Sequence, residues 1–532
     1  MSDKLEVTRV IAVPTSPAQD EMLLQNKSYR RRWWILMVLS LCLLLVAIDG
    51  TIVNVALSSI AIELSASTSE LQWISEAYTL LLAGFLLSSG TLNDRFGSRR
   101  ILIVGIAIFG SASLGAAFAP SPLILIGARA VMGIGGALIM PTTLSTIRRV
   151  FPEEEERVRA IGIWGATASL GIVIGPLLGG WLLDSFWWGS IFLVNIPLAL
   201  LTIVACSLLL PHEGEHTQSS IDWGGAAFST IGMIGLVYVI TEIPTFGWKD
   251  PIILGVLIIS GLALGTFLFW ERQVYHPMLD LSMFRSRQFT LSNIANALSY
   301  FALFGALFAV TQYLQLVLGY SPFVVGLALI PEGVIILITS LVGAWLTKYF
   351  SRKFILVAGL FLIAGGSGVL SLATVKSGYP FILSVMLLTI TGIGIAGTAA
   401  TDLILGAISV KQASSAAAVS ETFLELGGTF GIAILGSILS VGYTSSLQAS
   451  PGIQSIPATV RGQMLESLGA AVKAAETVGG AEGHRLLLLA QEAFTRGMTD
   501  AALAGAAIAL IAACLTLFLL PTQSVQHSAS MK

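Results

Sequence analysis

The sequence predicts an all-α polytopic membrane protein that crosses the bilayer fourteen times, and three observations carry that prediction. Of the 532 residues, 55% are hydrophobic and only 11% charged, against roughly 25% charged in an ordinary soluble domain; a water-soluble surface cannot be built from that composition. The apolar residues come in uninterrupted runs, such as Trp33–Leu57, of the ~20 residues a helix needs to cross ~30 Å of hydrocarbon. Backbone groups must be satisfied inside lipid, so these runs are helices, whereas a barrel would need short alternating strands. Finally, the basic residues segregate to one side, as the topology below shows.

Apolar runs read against charged breaks give spans near 33–59, 71–92, 101–119, 122–146, 160–183, 188–210, 222–243, 251–271, 288–318, 323–347, 354–375, 379–409, 413–443 and 499–521. The first run follows Arg30, Arg31 and Arg32 but is too long for a signal-peptide core, so it is expected to remain as the first span. An even number of spans places both termini on one side. With that side cytoplasmic, 21 of the 28 Lys and Arg residues lie inside, six outside, and Arg129 within a span, the asymmetry the positive-inside rule requires. The net charge of −2 then says nothing of nucleic acid, and none is expected as a partner. Cys42, Cys206 and Cys514 all fall in apolar runs without metal spacing, and the five histidines lie outside the spans.

An internal repeat organises the spans. Gly90-Thr-Leu-Asn-Asp94-Arg95-Phe-Gly97-Ser-Arg99-Arg100 follows span 2, and Gly343-Ala-Trp-Leu-Thr347-Lys348-Tyr-Phe350-Ser-Arg352-Lys353 follows span 10, an offset of 253 residues. Duplicated halves are how many transporters build a midplane site. The expected divisions are a cytoplasmic tail 1–32, an N-terminal six-helix bundle 33–210, a cytoplasmic linker 211–221, two inserted helices 222–272, a C-terminal bundle 288–521 and a cytoplasmic tail 522–532. Within the second bundle, residues 444–498 read as an extracellular helical hairpin, as against an unstructured loop. Met464, Leu465, Leu468 and Val472 share one helical face, Leu486–Leu489 and Phe494 form a second stretch, and Val478-Gly-Gly-Ala-Glu-Gly483 lies between them.

Charges in the spans are the candidate functional residues, because each costs ~2.5–3.5 kcal/mol at the bilayer centre even on lenient scales. Asp49 lies about 24 Å along span 1 and Arg129 about 10 Å below the outer surface in span 4, depths compatible with a pair. Asp402 in span 12 and Glu421 in span 13 both fall about 12–14 Å above the cytoplasmic face, with Glu425 one turn deeper on the face of Glu421. Glu76 lies near the outer end of span 2, and Glu332 in span 10. Desolvation and mutual repulsion disfavour the ionised form of clustered carboxylates, which lets such a site lose and regain protons near neutral pH. A cationic substrate that neutralises the same carboxylate excludes the proton, and the exchange is antiport; packing alone is the competing role for each acid. Gly392-Ile-Gly394-Ile-Ala-Gly397 lies inside an apolar helix with no preceding strand, so it reads as helix packing rather than a dinucleotide site. No G-K-[ST] occurs. No cofactor is expected, an ion gradient supplies the energy, and no nucleophile or metal-ligand constellation in the spans points to an enzyme.

These motifs identify a resemblance. Gly90–Arg100 resembles the signature loop between helices 2 and 3 of the major facilitator superfamily, Gly171-Ile-Val-Ile-Gly175-Pro176-Leu-Leu-Gly179-Gly180 its antiporter motif, and Arg129-Ala-Val-Met-Gly133-Ile-Gly135-Gly136 its proton-coupling motif. With fourteen spans and Ile48-Asp49-Gly50-Thr51, residues from about 33 to 521 are similar to the fourteen-helix drug:proton antiporters. Gln72-Trp73-Ile74-Ser75-Glu76-Ala77-Tyr78, Trp188-Gly189-Ser190 through Asn195-Ile-Pro197, Val419-Ser420-Glu421-Thr422 and the long outer hairpin resemble the QacA-like and SmvA-like multidrug exporters. The resemblance implies a major facilitator fold in a bacterial cytoplasmic membrane, functional as a monomer among membrane lipids. It implies export of lipophilic cations, such as quaternary ammonium compounds, dyes and biocides, in exchange for protons; relatives with these motifs also export antibiotics, metabolites or lipids. It assigns proton coupling or cation contact to Asp49, Glu421 and Glu425, where Asp402 and Glu76 join as intramembrane acids, a proton relay to Arg129, and gating to Gly90, Asp94, Arg95, Gly97, Arg99 and Arg100. Two positions depart from the family pattern: Ser58 stands where proline is usual, and Thr347 replaces the counterpart of Asp94.

Overall fold

The computed structural model describes residues 27–210, 222–274, 279, 281–408, 413–454 and 456–521. Among them no strand occurs. The long helices are α1 (Arg32–Glu63), α2 (Thr68–Phe96), α3 (Ser98–Ala117), α4 (Pro122–Val150), α5 (Glu154–Ser185), α6 (Asn195–Leu209), α7 (Trp223–Phe246), α8 (Pro251–Glu271), α9 (Arg287–Gln312, continued as a π-helical turn Tyr313–Val317), α10 (Pro322–Leu346), α11 (Arg352–Leu370), α12 (Tyr379–Gly406) and α13 (Ala413–Ala449). Two shorter helices follow, α14 (Ala458–Glu466) and α15 (Leu468–Val478), and then α16 (Gly480–Leu519). Over the described residues thirteen helices are long and apolar enough to cross a membrane. The second expected span is occupied by α2, a 29-residue helix seated between α4 and α13.

Local chemistry starts these helices where the sequence changes character. Ser67 and Glu70 form a reciprocal capping box on α2, Asp222 caps α7, Ser286 caps α9, and Ser321 caps α10 ahead of Pro322 at its first turn, each satisfying amides that have no helical partner. Gly97, at φ 83°, makes the turn between α2 and α3, a conformation only glycine adopts without strain.

Packing repeats with the sequence. In the first half α1 packs on α5, α2 on α4, and α3 on α4 and α6; in the second α9 packs on α13, α10 on α12, and α11 on α12 and α16. Across the middle, α2 packs on α13 and α5 on α10, so the second helix of each half lies against the fifth of the other. The inserted pair attaches through α7, which touches α2 and α13, while α8 packs on α7. The linker 211–221 and the tail 522–532 lie outside the described residues.

One boundary differs from the sequence reading. Hydropathy starts the last span near 499, but the second arm of the expected hairpin and that span are one 40-residue helix, α16. Neither proline nor a cap interrupts it, so the hydropathy edge marks where the helix enters lipid. The first arm is broken instead, at the extended Ser467 between α14 and α15. It reaches across to the first half: Ser467 Oγ donates to Ala66 O at 2.9 Å, Thr68 Oγ1 to Glu466 O at 3.1 Å, and Lys473 Nζ to Ile62 O at 3.2 Å.

Candidate functional site

Asp49 on α1 is fully buried, as is Arg129 on α4. The two form an ion pair, Arg129 Nη1 donating to Asp49 Oδ2. A buried pair repays its desolvation only when its remaining groups are also bonded, and here both carboxylate oxygens and the Arg129 Nε are. Asn195 Nδ2 on α6 donates to Asp49 Oδ1 at 2.9 Å, Arg129 Nε donates to the Ile74 carbonyl of α2 at 3.1 Å, and the guanidinium lies 4.4 Å from the Tyr78 ring centroid. Asn195 is itself 3.1 Å from Ser113 Oγ on α3, which donates to Phe192 O at 2.8 Å. The bonds around this one carboxylate thus join α1, α2, α3, α4 and α6.

The glycines of α5 set the distance of this pair from the second half. A Cβ at Gly171 would meet Ala47, one at Gly175 would meet Thr51 and the Ile48 carbonyl, and one at Gly179 would meet Ile52, so α5 lies with its backbone against α1 on both sides of Asp49 along the chain. At Gly180 a Cβ would strike Pro322 and Phe323 of α10, which brings α5 equally close to the other half. Pro176, within α5, has no N–H and leaves the Ile172 carbonyl without its helical donor.

On α13, Glu421 and Glu425 are half-buried, and neither carboxylate has a hydrogen-bond or ion-pair partner among the described residues. Tyr300 of α9 lies within electrostatic reach of both. Tyr78 of α2 lies within reach of Asp49, Arg129 and Glu425, and its buried hydroxyl has no partner. Tyr78 therefore lies near both the ion pair of one half and Glu425 of the other. Glu76 is also fully buried: Oε2 accepts from Thr241 Oγ1 of α7 at 3.2 Å, and Oε1 has no partner. Among the described residues no group of three or more His, Cys, Asp or Glu is placed to hold a metal ion.

Asp402 is located differently from the sequence reading, which groups it with Glu421 in mid-membrane. Its side chain is 42% exposed and lies 3.4 Å from Arg352 Nε, at the first turn of α11. Counting from Lys411 gives a depth but not the basic residue that a neighbouring helix brings alongside. Asp402 still borders, with Asn296, Tyr300 and Leu424, a cavity of about 380 Å³.

Around Gly97, Ser98 Oγ donates to Asn93 Oδ1 at 2.6 Å, Asn93 Nδ2 donates to Ser145 Oγ at 2.8 Å, and Arg149 donates to Ser98 Oγ. Arg99 Nη2 donates to Ser207 O at 2.5 Å, Arg95 stacks near Phe96, and Arg100 is exposed. Gly90 and the Asp94 side chain lie outside the described residues. Sequence reasoning gave no role to Asn195, Ser113, Tyr78 or Thr241. The lone amide of Asn195, which opens Asn195-Ile-Pro197 in an otherwise apolar run, was the available signal for the first; the others look like ordinary helix residues.

Comparison with known proteins agrees with this architecture. The sequence profile of the Major Facilitator Superfamily matches residues 39–432. The chain is 35% identical to the multidrug efflux pump LfrA of Mycolicibacterium smegmatis, over 91% of this chain and 95% of LfrA. It is 32% identical to the methyl viologen resistance protein SmvA of Salmonella typhimurium, over 87% and 93%, and 30% identical to the tetracenomycin C resistance and export protein of Streptomyces glaucescens, over 92% and 91%. Among solved structures, an inward-facing bacterial homologue of the lysosomal transporter Spinster superposes with a TM-score of 0.65 at 17% identity, covering 91% of this chain and 98% of that one. Helix content, the paired halves and these matches agree: the chain is a transporter rather than an enzyme, a multi-pass protein of the bacterial inner membrane, and a member of the Major Facilitator Superfamily.

Proposed function

We propose that this chain exports lipophilic cations in exchange for protons, with both termini cytoplasmic. The observation that carries the reading is the contrast between the halves: Asp49 is fully paired, whereas the carboxylates of Glu421 and Glu425 have no partner among the described residues. An unpaired acid in the membrane can hold a proton or a cation but not both at once, which is the exclusion that antiport needs. Relatives named for multidrug efflux and methyl viologen resistance support the cargo class, and the excess of Lys and Arg on one side supports the orientation.

Everted membrane vesicles carrying the protein, energised by a pH gradient, should accumulate ethidium. Glu421→Gln should abolish the pH dependence of that uptake. Uptake by the wild type that ignores the gradient would sink the proton coupling. A second reading, export of an uncharged antibiotic or lipid, is favoured by one feature. A cavity of about 600 Å³ bounded by α2, α7, α8, α9 and α13 has no charged residue in its lining among the described residues. Uptake of a neutral lipophilic dye competing with ethidium would support it.

A further inference from the structure

The inserted helix α7 is bonded to both halves by three consecutive residues. Pro244, inside α7, has no N–H and so frees the carbonyl four residues earlier, Ile240. Ser437 Oγ of α13 donates to that carbonyl at 3.0 Å. The next residue, Thr241, donates through Oγ1 to Glu76 Oε2 of α2 at 3.2 Å, and the next, Glu242, accepts from Trp73 Nε1 of α2 at 3.1 Å.

Glu76 is fully buried, its Oε1 has no hydrogen bond, and Thr241 is the one side-chain donor to it among the described residues. Among the described residues its charged surroundings offer no uncommitted cation. The facing acid on α7 is Glu242. On α4, Arg129 is committed to Asp49 and the Ile74 carbonyl, as is Asp49 of α1 to Arg129 and Asn195. On α13 the only acids, Glu421 and Glu425, precede the level of Thr429, which bonds Thr79 of α2 at 2.8 Å. Burying an ion is costly unless donors are supplied, and a hydrogen bond to an ionised group is about twice as strong as a neutral one. A single hydroxyl therefore weighs heavily on whether charge can exist at this site.

Resting on the proton-exchange reading above, we propose that Thr241 is a positioning residue for the Glu76 carboxylate, so that the inserted helix pair takes part in the proton step rather than only adding two crossings. The pair is then an element that feels the charge state of α2 through one bond, while Ser437 holds the same turn of α7 to the other half.

The test is an infrared titration of the full-length protein in lipid nanodiscs, reading the protonated-carboxyl band that disappears in Glu76→Gln. Thr241→Val keeps the shape and removes the donor, so the midpoint of that band should move to higher pH by about one unit, tenfold in proton concentration, and Thr241→Ser should restore it. The pH profile of dye uptake in vesicles should move in the same direction. A Thr241→Val midpoint equal to that of the wild type, a Thr241→Ser that behaves like Val, or a wild-type spectrum with no band belonging to Glu76 would each overturn the proposal. The infrared measurement needs no transported substrate. A wild type that titrates as expected yet exchanges no dye for protons therefore removes the antiport reading and leaves the assignment of Thr241 standing.

Discussion

Arg129 donates to Asp49 through Nη1 while its Nε holds the Ile74 carbonyl at 3.1 Å, so the cation that neutralises α1 also anchors α2. This linkage joins the charge on Asp49 to the position of α2.

Asp49→Asn leaves Arg129 buried without a counter-ion. Breaking one side of a buried pair costs about 3–5 kcal/mol, and we expect a clear fall in the thermal midpoint of the purified protein together with loss of ethidium efflux from cells. A variant as stable as the wild type would mean that Arg129 finds another acceptor.

Glu425→Gln should behave in the opposite way, because Glu425 has no partner to lose. Stability should stay within about 0.5 kcal/mol of wild type, as for changes away from packed or paired features, while pH-dependent uptake is lost. Thermal unfolding and vesicle transport, measured on the same preparation, separate the two effects.

Gly175→Ala introduces a Cβ 3.0 Å from the Ile48 carbonyl and closer still to Thr51. Overpacking of this kind costs about 1–3 kcal/mol, and the displacement falls on the helix turn next to Asp49. Transport should drop severalfold at unchanged expression. Pairing it with Thr51→Ala, which clears the closest neighbour, should recover part of the loss.

Tyr29 precedes the first span and donates to Glu153 Oε1 at 2.5 Å. That hydrogen bond first, and desolvation second, push its hydroxyl up to about 12. Since the value rises on folding from an ordinary value of about 10, the stabilisation is whole below pH 10 and is lost as pH climbs through 12. The difference in thermal midpoint between wild type and Tyr29→Phe should be constant from neutral pH to about 9 and shrink above 10. A difference that grows with pH would contradict the bond.

Much of this site was legible because charge in an apolar run is rare and costly. Asp49 and Arg129 stand out in the sequence, and helix rise alone placed them at matching depths. Asn195 was not legible as their partner, since its approach depends on how α6 turns toward α1. Asp402 was misplaced for the same reason: its depth follows from the chain, but Arg352 comes from a different helix. The outer hairpin shows the limit of hydropathy, which detects lipid contact and is blind to a helix that continues into water.

By itself the sequence determined the long helices, their order, the duplication at an offset of 253 residues and which acids fall within the apolar helices, because lipid demands internal hydrogen bonding and penalises charge wherever the chain crosses it. Only the tertiary structure decided which of those acids are paired. Asp49 is bonded from α4 and α6, Asp402 from α11, and one oxygen of Glu76 from the inserted α7, while the carboxylates of Glu421 and Glu425 have no partner among the described residues. Partners on other helices depend on rotation and packing about each helix axis, which small residues such as Gly175 set at distances that no single span encodes.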